Sequence, residues 1–191
     1  MKRLHRTFSL GALVLACLAT SASQSVDSSK PPAKVTVQHT TEGGVGITTL
    51  KLEPLVIQQN ANSYIILNVT AAYEDHSSKP KSVSLSFHSR SRHCRFSNKA
   101  DLLFVLDADT ITLHSSADKS GDGGLWVFSE PEGNTCNESC AALISEQTFL
   151  RMIKSKHVEA RLGPVSLRLS ETHLNALRDF AGRIANPSGA V

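Results

Sequence analysis

The sequence predicts an α+β fold, an antiparallel β-sheet or sandwich with two amphipathic helices near the C-terminus. Three observations predict it. Apolar and polar residues alternate with a period of two through the middle of the chain, helical spacing appears only near its end, and a hairpin pattern lies between the two helical stretches.

The strands come first. Val45–Leu52, Tyr64–Tyr73, Ser82–His88, Leu102–Leu106, Thr110–His114 and Leu125–Phe128 are β-branched or aromatic-rich runs separated by turn-forming residues. The clearest alternation places Val83, Leu85 and Phe87 on one face and Ser82, Ser84, Ser86 and His88 on the other. One face of that sheet is expected on the core and one in water.

Two helices follow. Ser145–Lys154 opens on a capping serine, carries Glu146 in its first turn and puts Phe149, Met152 and Ile153 on one side. Ser170–Ile184 repeats the plan with Leu174, Leu177, Ala181 and Ile184, and Asn186-Pro187 ends it. Between them Val158, Ala160 and Leu162 alternate on one side of Gly163-Pro164, and Val165, Leu167 and Leu169 on the other. A two-residue loop there sets Glu159 opposite Arg168 on the wet face.

The N-terminus reads as an export signal. Met1–Arg6 is basic, Thr7–Ala19 is apolar, and small residues follow. The organisation expected is a signal peptide over 1–22, a Ser/Pro-rich tether over 23–34, one β-rich α+β domain over 35–185 and a tail over 186–191. Two processing routes stay open: Val14–Cys17 has the form of a lipobox with Cys17 as lipid attachment site, and Thr20–Ala22 offers small residues to ordinary signal peptidase. No transmembrane segment is expected after the signal, because no later apolar run approaches the roughly 20 residues that a spanning helix needs.

Export also alters the charge balance. Of 20 basic residues, Lys2, Arg3 and Arg6 leave with the signal, so 17 remain against 17 acidic ones. A neutral mature chain gives no reason to expect nucleic acid as a partner. Charge is segmented all the same: residues 76–100 hold six bases and no acid, and residues 101–150 hold nine acids and one base. Compensation between these neighbouring segments, above all by Asp101, Asp107 and Asp109, is the favoured account, with an anion-binding or partner surface on Arg90, Arg92 and Arg95 as the alternative.

Three cysteines remain after Cys17, in a compartment where disulfides persist. Cys136 and Cys140 are the candidate pair if their segment turns. In an extended strand they would stand about 13 Å apart, beyond the bridging limit of about 7 Å, and a bond from Cys94 to either is the runner-up.

Chemical motifs are sparse. There is no GxSxG elbow, phosphate loop or HExxH motif. Asp118 and Asp122 sit in a run that resembles the start of a calcium loop, but Ser129 stands where the motif needs glutamate, so a polar connection explains them better. His88 and His93, five residues apart, face opposite ways on a regular strand, and adjacent His93 and Cys94 do too. Neither a metal site nor a thiol dyad is expected, and no cofactor is implied. The sequons at Asn68 and Asn137 are read as chance occurrences in a bacterial-type exported chain.

The run from Lys156 to Arg183, together with Ser89–Arg92 and Asp101–Asp107, resembles a loosely defined group of uncharacterised bacterial secreted or cell-envelope proteins. Members often follow the last of these strands with an Asp-Gly turn, where this chain has Ala108. The resemblance spans roughly residues 45–184 and implies an envelope setting but no activity. The expected function is a non-enzymatic binding or structural module of the cell envelope with an unknown protein or envelope partner. The alternative is a hydrolase or transferase whose site gathers His88, His93, His114, Asp107 and Asp109 from distant positions.

Overall fold

Tight turns fold the chain into antiparallel pairs, and the glycines sit where those turns need them. The computed structural model describes residues 34–74, 79–96, 101–114 and 124–185. The signal, most of the tether, the Asp118–Asp122 run and the tail therefore lie outside the described residues, Cys17 among them. Strands β1 (Val35–Glu42) and β2 (Val45–Leu52) meet at Gly43-Gly44, whose φ angles of 60° and 84° suit a two-residue hairpin loop. Next come β3 (Leu55–Asn60), β4 (Ser63–Glu74), β5 (Ser82–Ser91), β6 (Leu102–Val105), β7 (Thr110–Leu113), β8 (Leu125–Glu132) and β9 (Thr135–Ser145). Helix α1 (Glu146–Lys154), strands β10 (Glu159–Leu162) and β11 (Val165–Arg168), and helix α2 (Glu171–Ala185) complete the order.

Two antiparallel sheets result. The larger has the order β1-β2-β4-β5-β9-β8, and the smaller β11-β10-β6-β7. The twelve residues of β4 leave room for two partners along one edge. Its last residues pair with β2 and its first with β3, while β5 takes the other edge.

Alternation decides which face is dry. Ile65, Leu67, Val69 and Ala71 of β4 and Val83, Leu85 and Phe87 of β5 are buried, as are Cys136, Glu138, Cys140, Ala142 and Ile144 of β9. Phe87 meets Phe104 of the smaller sheet at a centroid distance of 6.5 Å, and Phe149 of α1 meets Phe180 of α2 edge-on at 6.2 Å. One buried cluster thus draws on both sheets and both helices.

The predicted elements are present, with three additions: β1, β3 and β9 carry weaker strand signals than their neighbours. Ser145 caps α1, its hydroxyl accepting the Thr148 N–H at 3.1 Å. Ser170 caps α2 in the same way through the His173 N–H. The hairpin forms in the expected register, Glu159 opposite Arg168, but Glu159 bonds to Arg161 and Ser166. Those two hydrogen bonds, with the charges of Arg161 and Arg168, hold its carboxyl below the usual carboxylate range.

Gly163 opens that hairpin loop with a φ of 56°. Alanine there must enter a region that costs an L-residue roughly 1–2 kcal/mol. Gly163→Ala is expected to lower stability by about that amount, read from the midpoint of urea unfolding.

Candidate functional site

The stretch Phe87–Phe96, where histidines, arginines and a cysteine crowd together, is the end of β5 and the turn after it. The Ser91 hydroxyl donates to the His93 carbonyl at 2.6 Å and starts the turn. Cys94 is then joined to Cys136 of β9 by a disulfide, with a Cα–Cα distance of 5.3 Å. The backbone N–H groups of Arg95 and Phe96 both donate to Glu138 Oε1, at 2.7 and 2.6 Å. The Arg95 guanidinium donates through Nη2 to Ser89 Oγ at 2.9 Å, and Ser89 lies directly opposite Glu138 in the ladder.

Glu138 is only 3% exposed and faces the core side of β9. Its Oε1 anchors the turn by two charge-assisted bonds, which substitute for the water that a buried carboxylate loses. Its Oε2 and Arg95 Nε have no hydrogen-bond partner among the described residues. Turn, disulfide and carboxylate form one unit that closes the end of the β5–β9 pair.

The bridge considered between Cys136 and Cys140 is not formed, and Cys136 bonds Cys94 instead. The reason is geometric: both cysteines lie on the fully extended β9, on the same face, at the separation that a disulfide cannot span. Cys140 is a free, buried cysteine whose thiol burial pushes up to about 12. Such a thiol stays protonated and unreactive at neutral pH.

The opposite face of the same strands is different. The ladder aligns Ile66, His88, Ser139 and Phe128 in one row across β4, β5, β9 and β8, and Tyr64, Arg90, Asn137 and Glu130 in the next. The His88 imidazole sits between two hydroxyls, with Ser139 Oγ 2.9 Å from Nδ1 and Ser86 Oγ 2.9 Å from Nε2. Burial lowers its pKa, so at neutral pH the ring is uncharged, one nitrogen donating and the other accepting. Around it Tyr64 and Phe128 stay exposed, Phe128 to 66%, and Trp126, two residues before Phe128 on β8, is exposed too. Tyr64, His88, Phe128, Glu130, Asn137 and Ser139 are among the residues lining an open pocket of about 460 Å³.

A pH prediction follows from His88. Its folded pKa lies below its ordinary 6.5, so its contribution to stability is complete above that value. As pH falls below it, the unfolded chain takes up the proton first and stability drops, levelling once the folded ring is protonated too. Urea midpoints measured from pH 7.5 downward are expected to fall, and His88→Asn to flatten that part of the profile.

The remaining sequence candidates do not converge. Arg90 is exposed on the outer face, Arg92 is exposed in the turn, and Arg95 reaches back to Ser89, so the three do not form one anion surface. Asp101 pairs with His114 at 3.1 Å and Asp109 with Arg151 at 3.3 Å. Asp107 accepts the N–H groups of Lys156 and His157, both at 2.8 Å, and these bonds hold its carboxyl below the usual range. Among the described residues, Glu138 is bound to the basic stretch through the main-chain N–H groups of Arg95 and Phe96. Of the dispersed set His88, His93, His114, Asp107 and Asp109, only His88 lines the pocket.

Glu138, Ser139, Trp126 and Phe128 escaped the sequence reading. A signal was there: Cys136, Glu138, Cys140, Ala142 and Ile144 keep a strict period of two, and Trp126 and Phe128 take the alternate places of a strand whose inward residue is Leu125. Among the described residues no helix is long and apolar enough to cross a membrane. Comparison of the chain with family models, with curated proteins and with solved structures returns no match.

Proposed function

We propose that the chain is a non-enzymatic binding module that takes a polyhydroxylated ligand, a glycan chain, on the outer face of its larger sheet. The observation that carries the proposal is the exposure of Tyr64 and Phe128 beside a polar floor of His88, Ser139 and Asn137, with exposed Trp126 two residues before Phe128 on β8. Aromatic rings left in water offer flat apolar faces, and a hydroxyl, imidazole and amide floor offers donors and acceptors, the combination that suits a sugar ring with apolar faces and hydroxyl edges. In the same reading the two sheets are the layers of a sandwich, a view that the Phe87–Phe104 contact supports. The signal-like N-terminus, the soft resemblance to envelope proteins and a disulfide compatible with an oxidising compartment support an exported setting.

Retention on a panel of immobilised envelope and plant polysaccharides tests the proposal. At least one polymer is expected to retain the protein, with Phe128→Ala and Trp126→Ala each weakening retention about tenfold, the order of a lost aromatic contact. Retention of none, or equal retention of the variants, would sink it.

The hydrolase reading has one observation in its favour, the hydrogen bond between Ser139 and His88. Against it, β5 and β9 are paired along both edges, so their backbone N–H groups are committed to the ladders and none is left beside Ser139 for a developing oxyanion. Labelling of Ser139 by a fluorophosphonate would revive this reading.

A further inference from the structure

We infer that the Cys94–Cys136–Glu138 cluster becomes a zinc site when its disulfide is reduced. The two sulfur atoms and a Glu138 carboxylate oxygen all lie within 4.8 Å of one another. Zinc takes thiolate, imidazole and carboxylate ligands in a tetrahedron, so two cysteines and one glutamate supply three positions. Cys94 is exposed, which leaves the fourth position to water.

Glu138 points to a cation independently of the sulfurs. It is 3% exposed, Oε1 is engaged by two N–H groups, and Oε2 has no partner among the described residues. A buried carboxylate oxygen without a donor is costly, and a metal ion is one of the few partners that can remove that cost. Charge balances as well. Two thiolates and a carboxylate carry three negative charges, which Zn²⁺ and the Arg95 guanidinium, held at Ser89 across the ladder, offset. The bond to Oε1 fixes the carboxylate much as an outer hydrogen bond fixes a metal ligand.

The chemistry closes with a dithiol as reductant. One of its thiolates attacks the accessible Cys94 sulfur and the Cys94–Cys136 bond breaks, releasing the Cys136 thiolate. The second thiol of the reductant then displaces Cys94 from the mixed disulfide. Two electrons pass to the protein, the reductant becomes a cyclic disulfide, and Cys94 and Cys136 are left as thiols. Zinc binding releases their two protons. Cys140 takes no part, since it lies four residues from Cys136 on the same extended strand and outside the cluster.

The test is a cobalt titration of the full chain under anaerobic conditions, before and after reduction on an immobilised phosphine, followed by displacement with zinc. One equivalent of cobalt is expected to bind only after reduction, with a thiolate-to-cobalt charge-transfer band that zinc abolishes. Cys94→Ala is expected to remove the band, and Glu138→Gln to weaken zinc binding at least about tenfold. Cys140→Ala should leave both unchanged. Equal uptake by oxidised and reduced protein, no stoichiometric uptake after reduction, or loss of the band in Cys140→Ala would each overturn the inference. Should Glu138→Gln fail to fold, the exposed Cys94→Ala and the Cys140→Ala control still decide it.

Discussion

Reduction of the Cys94–Cys136 bond, with chelator present to exclude metal, is expected to lower the unfolding free energy by about 4 kcal/mol. The bonded residues are 42 apart in sequence, and closing a loop of that length in the unfolded chain removes entropy worth about that much. Parallel urea titrations of oxidised and reduced protein measure it directly. The loss should have a local component too, because the bond, the Ser91–His93 turn and the Glu138 carboxylate hold the same segment, residues 91–96. Amide exchange at Arg95 and Phe96 should accelerate on reduction more than exchange in the middle of β4. Glu138 still anchors those two N–H groups after reduction, so the segment should loosen rather than detach. A loss under 1 kcal/mol would mean that the disulfide adds little to what the carboxylate already does.

Phe87→Ala is expected to cost about 3–5 kcal/mol, the range for an aromatic ring removed from a packed interior. Phe87 is 1% exposed, lies on a central strand and is the ring through which β5 meets Phe104 of the smaller sheet. Its removal leaves a cavity between two elements whose backbones are fixed by their own ladders, so little collapse can fill it. Phe128→Ala is the matched control. That ring is 66% exposed, and its loss should move stability by no more than about 0.5 kcal/mol while reducing ligand retention. The same substitution at two phenylalanines thus separates the face that holds the fold from the face proposed to bind. Similar stability losses at both positions would show Phe128 to be a packing residue.

Much of the architecture was legible because it depends on local periodicity. Val83, Leu85 and Phe87 alternate with serines, and the strand they form has that face buried. Gly163-Pro164 fixes a two-residue loop, and the register follows, Glu159 against Arg168. Ser145 and Ser170 mark helix starts because a hydroxyl there can accept an otherwise unpaired N–H. Strand β9 is the instructive omission. Its residues Thr135–Ser145 include Cys, Asn, Glu, Ser and Ala, which have little preference for strands, and it is made a strand by pairing with β5 on one side and β8 on the other.

The candidate sites turn on that omission. By itself the sequence determined the alternating strands, the capped helices, the hairpin register and the crowding of basic residues at the end of β5, since each follows from residues close together in the chain. Only the tertiary structure decided that β9 runs beside β5. That one pairing brings Cys136 to Cys94, Glu138 to the Arg95 and Phe96 amides, and Ser139 to His88, across 42 to 51 residues of chain. Long-range pairing is chosen by which buried faces fit together, and no local run of residues encodes it.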